Sequence, residues 1–122
     1  MTFAARMTLP AERLCAGLEA ATATLADLVA RNDQDMAVPA CPDWTLRQLG
    51  THVGRAHRWA AEIVGTRSAQ FIEFRSVPDG KSPAGSAAQA SWLTAGASRL
   101  IDAMHTAGDA QVWAFTTLAP AS

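Results

Sequence analysis

The sequence predicts an all-α fold, a small helical bundle, from three observations. Apolar residues recur at alternating spacings of three and four in three separate segments. Two of those segments open on a Thr/Ser-x-x-Gln pattern, the spacing of a capping box. The stretches between them hold four of the 6 prolines, residues that interrupt helices.

The first helix is expected from Leu9 or Pro10, proline being tolerated in a first turn. Leu14, Leu18, Ala21, Leu25 and Leu28 form its apolar stripe, Arg13, Glu19 and Arg31 face solvent, and Asn32 is the expected stop. Asp33 to Asp43 contains Pro39 and Pro42 and reads as an extended connection.

The second helix starts at Thr45 or Leu46. The Thr45 hydroxyl can accept from the Gln48 N–H while the Gln48 side chain returns to the Thr45 N–H, with Trp44 and Leu49 placed as a hydrophobic staple. Leu46, Leu49, Val53, Ala56, Ala60 and Ile63 make one stripe; Arg47, Thr51, Arg55, Arg58 and Glu62 fall opposite. His52 is expected just inside the edge of the apolar arc, near Trp59 and Ile63, and His57 at the other edge. Their spacing of five does not make a chelating pair, which on a helix needs three or four. By spacing alone His52 reads as a core-edge histidine bonded to a neighbouring helix.

Gly65 to Gly85 is a long connection in which only the Phe71–Phe74 run, FIEF, can dock or form a helical turn. A connection of this length permits a crossover, so the helices it joins can run in the same direction. The third helix opens near Ser86, with Gln89 at the capping-box distance, and carries Leu93, Ala97, Leu100 and Met104, bordered by Trp92 and Ile101. His105 caps its last turn and Gly108 ends it. VWAFTTL, from Val112, reads as a docked tail or short strand.

A chain of 122 residues is bounded to one domain with one modest core. The formal net charge of −1 gives no electrostatic case for nucleic acid or an anionic membrane. MTFAARMTL lacks the apolar core of a signal peptide and no apolar run reaches membrane-spanning length, so a cytoplasmic location is expected. There Cys15 and Cys41 remain free, Cys15 as a small core residue and Cys41 as a structural loop residue.

The segment CPDWTLRQLGTHVGRAHRWAAE resembles the second helix of the mycothiol-dependent maleylpyruvate isomerase family, in its N-terminal DinB-like metal-binding domain. Cys41, Pro42, Trp44, Thr45, Arg47, Leu49 and His52 stand in the places of the family pattern, with Asp43 where Gly is common. The likeness extends more loosely through the first helix, WLTAGASRLIDAM and VWAF. It implies a four-helix DinB-like bundle, of which this chain shows three helices with a long crossover between the second and third. It also implies that His52 is the first of three ligands to zinc or another divalent metal, that mycothiol is the thiol cofactor, and that a small electrophilic molecule is the substrate of an isomerase or transferase. In the family the other two ligands come from a later helix with a Glu/His-xxx-His pattern. No such pattern follows Phe115, so residues 1–122 are expected to be a single, partial domain of weak metal affinity with no complete catalysis of its own.

Three stripes fitted to a four-helix core leave an apolar groove open, and self-association through it is expected. Two alternatives stand beside this reading. One is a helical interaction module using the uncovered face. The other is a helix-turn-helix DNA-binding protein, with Gly54 in the turn and Arg55, His57 and Arg58 toward DNA. The net charge opposes the latter.

Overall fold

The computed structural model describes residues 3–66 and 72–107, with side chains described from Glu12 onward. The element order is α1 (Phe3–Arg31), β1 (Ala37–Val38), β2 (Cys41–Thr45), α2 (Leu46–Thr66), a single 3-10 turn at Phe74–Ser76, and α3 (Ser86–Ala107). The fold is all-α, consistent with a DinB-like bundle.

α1 begins earlier than proline placement alone predicts. FAARMTL contains no other helix breaker, so the helix continues upstream and Pro10 lies inside it. It ends at the expected residue: the Asn32 N–H and the Asn32 side-chain amide both donate to the Leu28 carbonyl, at 3.1 and 2.8 Å. The connection to α2 is extended but also pairs with itself. β1 and β2 form an antiparallel hairpin with Ala37 opposite Thr45 and Val38 opposite Cys41. The hairpin is locked onto the helix start by Leu46 N–H to Met36 O and Arg47 N–H to Gln34 O, both 2.9 Å.

At Thr45 the capping box forms in full. The Gln48 N–H donates to Thr45 Oγ1 at 3.1 Å and the Thr45 N–H to Gln48 Oε1 at 2.9 Å. α2 then runs without a break through Gly54, as a bundle helix requires and a helix-turn-helix does not.

The core joins all three helices at one end, where Val29, Leu46 and Leu93 pack together with Leu25, Val53, Ala90 and Trp92 around them. Val29 meets Leu46, and farther along Thr22 meets His57, so α1 and α2 are antiparallel. Gly50 faces Gln89, Gly54 faces Trp92, and His57 and Arg58 face Gly96, so α2 and α3 run parallel. The long connection is therefore a crossover.

The buried face of α2 differs from the expected one. Leu46, Gly50, Gly54, His57, Arg58, Ala61, Ile63 and Val64 are buried, whereas Leu49, Val53, Ala56 and Ala60 are only half-buried. The helix is thus rotated about a quarter turn from the orientation its hydropathy suggests, at about 100° per residue. Backbone proximity is the cause: a Cβ at Gly50 would come 2.7 Å from the Gln89 side chain, and one at Gly54 would overlap the Trp92 ring. Two glycines let α3 approach closer than Leu49 and Val53 would allow.

Gln89 also departs from expectation. It makes no capping box with Ser86; its side chain is fully buried among the elements around it. Its Oε1 accepts from Gln34 Nε2 at 2.9 Å, and its Nε2 lies 3.1 Å from Arg47 O, 3.2 Å from Thr51 Oγ1 and 3.1 Å from Ser82 Oγ. A buried amide needs such partners, and here they tie the α1–α2 connection, α2 and the crossover to α3.

On the outer side of α1, Leu14 and Leu28 remain exposed, at 57% and 47%. The row that turns inward is Cys15, Thr22, Ala26 and Val29. An apolar strip on α1 is therefore uncovered among the described residues. No described helix is long and apolar enough to cross a membrane. Gly108 and VWAFTTL lie outside the described residues, as does Phe71 of the FIEF run.

Candidate functional site

His52 lies on the outward side of α2, close to the helix start that Thr45 and Gln48 hold in place. Its ring does not point inward between Trp59 and Ile63, the place its azimuth suggests. It is exposed, because α2 turns its glycine face to α3. It is nevertheless not loose in solvent. The Trp44 ring meets it edge-on with centroids 5.4 Å apart, and the Phe74 ring lies 5.4 Å away on a tilted plane. Trp44 is set there by β2, immediately before the cap. Phe74 is set there by the crossover, which the Trp59 indole N–H grips through the Ile72 carbonyl at 2.7 Å. The FIEF run thus docks through Phe74, which also meets Trp59 at 5.9 Å.

Around His52 opens a groove of about 510 Å³ lined by Asp43, Trp44, Arg47, Gln48, Thr51, Arg55 and Arg75. Arg55 is pre-positioned: its Nε donates to Gly80 O at 2.8 Å and its guanidinium lies 5.8 Å from the Phe74 ring centre. Arg47 reaches Pro83 O with both terminal nitrogens at 3.5 Å, a weak contact. Among the described residues none of the three groove arginines forms an ion pair; the ion pairs are Arg31–Asp27 and Arg99–Asp79.

The second histidine of α2 occupies the opposite environment. His57 is buried, 3.5 Å from the Thr22 hydroxyl through Nε2, and its Nδ1 has no hydrogen-bond partner among the described residues. Burial holds its pKa below the ordinary histidine value; neighbouring Arg58 pushes the same way, and the Leu93 backbone pulls only weakly against them. Arg58, expected on the solvated face, is 4% exposed. Its guanidinium stacks 4.4 Å from the Trp92 ring centre and donates to Gly54 O at 3.0 Å and Trp92 O at 2.9 Å. A planar, weakly hydrated guanidinium tolerates such a place where an ammonium would not. Burial and then Arg99 lower its pKa, while Asp79 opposes them. The sequence showed these two residues but not their burial, since nothing in hydropathy marks a glycine-backed arginine as internal.

Cys15 is buried and Cys41 is exposed in β2. His105 is exposed near the end of α3. Among the described residues no three His, Cys, Asp or Glu side chains gather where they could hold a metal ion. Around His52 the potential donors are one imidazole and the Asp43 carboxylate, amid aromatic rings and three arginines, so these residues do not by themselves make a three-ligand metal site.

Fold and groove together define a helical-bundle domain that presents one imidazole in an open, arginine-rich cleft. The family model described as the mycothiol maleylpyruvate isomerase N-terminal domain matches residues 15–122, and the chain belongs to that family. Neither a curated protein nor a solved structure matches it.

Proposed function

We propose that this chain is a metal-binding domain of the mycothiol-dependent maleylpyruvate isomerase type, related to thiol-dependent isomerases and transferases, with the groove around His52 as its working face. His52 contributes one donor to zinc or another divalent ion, the remaining donors lying outside the described residues. A metal completed in that way would stabilise a bound thiolate, mycothiol by family, and a small electrophile would be its partner. The observation that carries this reading is the placement of His52. The imidazole to which the resemblance assigns the ligand role is outward, held between Trp44 and Phe74 at the mouth of the groove rather than consumed in the core.

The described residues gather no set of three donors around His52, so we expect a weak, labile zinc complex. Zinc titration of the chain and of His52→Ala tests this. Weak binding that disappears in the variant supports the role of His52. Binding of equal strength in both, or none by the wild type, overturns it.

The uncovered strip on α1 favours a second element of the proposal. Leu14 and Leu28 are exposed along a stripe of the spacing used in helix–helix seams, and self-association through it fits their placement. Sedimentation of the wild type against Leu14→Glu/Leu28→Glu decides between a dimer that the variant abolishes and a monomer in both. A cytoplasmic location accords with the family's thiol chemistry.

A further inference from the structure

The chain as a whole carries slightly more acidic than basic residues, 11 Asp and Glu against 10 Lys and Arg. The groove inverts that balance. Arg47, Arg55 and Arg75 line it with Asp43 as the one carboxylate, and none of the three arginines is within ion-pairing distance of an acid among the described residues. They come from separate parts of the chain: Arg47 and Arg55 from two places along α2, Arg75 from the 3-10 turn of the crossover. Convergence of uncompensated guanidinium groups on one cleft is a costly arrangement for stability alone, because like charges repel. It is well suited to an oxyanion, which a planar guanidinium can hold with two parallel hydrogen bonds.

Two further features narrow the ligand. Arg55 already has its Nε bound to Gly80 O, so its terminal nitrogens remain available while the side chain is held still. Holding it in advance lowers the entropy lost on binding. The same cleft is lined by Trp44, a flat apolar surface against which a planar body can lie. Its volume of about 510 Å³ suits a small molecule rather than a polymer.

We propose that the groove is an oxyanion site in its own right, in which Arg55 and Arg75, assisted by Arg47, hold the carboxylate or phosphate of a small ligand whose flat apolar body rests on Trp44. The inference rests on the groove being the working face of the domain, but it does not require the metal. Arg55 and Arg75 are then specificity-determining residues, and selection by charge takes place before any chemistry at a thiol.

Calorimetric titration of the full chain in chelator tests this with three probes: phthalate, phenyl phosphate and neutral benzamide. At least one anion binds, more weakly as salt rises, and benzamide does not. The stronger of the two anions identifies carboxylate or phosphate as the preferred group. Arg75→Gln weakens binding by about tenfold, the scale of one lost charge-assisted hydrogen bond. Arg13→Gln, which removes the same charge from exposed α1, leaves binding unchanged. The His52 ring proton resonances shift on saturation with the anion, and helicity of each variant is checked by circular dichroism. Absence of binding by both anions, equal binding of benzamide, or equal losses in Arg75→Gln and Arg13→Gln overturns the proposal. Because metal is excluded, failure here leaves the zinc result for His52 standing, and failure of zinc binding leaves this one standing.

Discussion

Gly54 of α2 lies against the Trp92 ring of α3 so closely that a Cβ at position 54 would overlap the ring. The indole is not free to withdraw: its Nε1 donates to Asp79 O at 3.0 Å, and the Arg58 guanidinium stacks on it. A tryptophan pinned on two sides turns a small residue on the facing helix into a requirement. Gly54→Ala should therefore lower stability by about 1–3 kcal/mol despite the better helix propensity of alanine. Gly17, where an added methyl would meet nothing within 4 Å, is the control. Gly17→Ala should stabilise by about 0.5–1 kcal/mol in the same denaturant titration.

The reciprocal bonds of Thr45 and Gln48 position the first turn of α2 and thereby the backbone that presents His52. Thr45→Ala should cost about 1 kcal/mol, the usual contribution of an N-cap. Thr45→Ser keeps the hydroxyl and should recover most of it. Urea unfolding of the three proteins checks both.

His57 gives stability a pH dependence with a definite sign. Its pKa is lowered in the folded protein by burial and by Arg58, so below about 6.5 the unfolded chain takes up a proton that the folded one resists. The contribution is complete above the unfolded value and is lost as pH falls from there through the lowered folded value. The melting temperature of wild type should thus fall more steeply between about pH 7.5 and 5.5 than that of His57→Gln. Parallel slopes would show that the buried imidazole is not the group responsible.

Arg58 is buried without an ion-pair partner among the described residues, and the carbonyls it meets belong to helices. A shape-filling apolar replacement should cost little, because it removes a desolvated cation without orphaning a buried acid. Arg58→Met is expected within about 1 kcal/mol of wild type, whereas Arg58→Ala loses about 2 kcal/mol or more through the space it leaves against Trp92. Thermal melts of both at neutral pH separate the contribution of packing from that of charge.

Features that depend on near neighbours in the chain were legible in the residues themselves. The capping box is a short local pattern, so Thr45 and Gln48 specified the start of α2 without reference to any tertiary contact. Asn32 marked the end of α1, and the length of the 65–85 connection allowed the parallel arrangement of α2 and α3. The motif around Trp44 and His52 likewise placed the chain in its family. Which face of α2 is inside was settled only by packing, because glycine registers as neither polar nor apolar until another helix needs its space. That one rotation buried His57 and Arg58, turned His52 outward, and left Leu49 and Val53 only half covered. It also drew Gln89 from its expected cap into the interior, where Gln34, Thr51 and Ser82 surround it. The groove was hidden for a related reason: Asp43, Arg55 and Arg75 come from a strand, a helix and a crossover, and those elements meet only when the chain is packed.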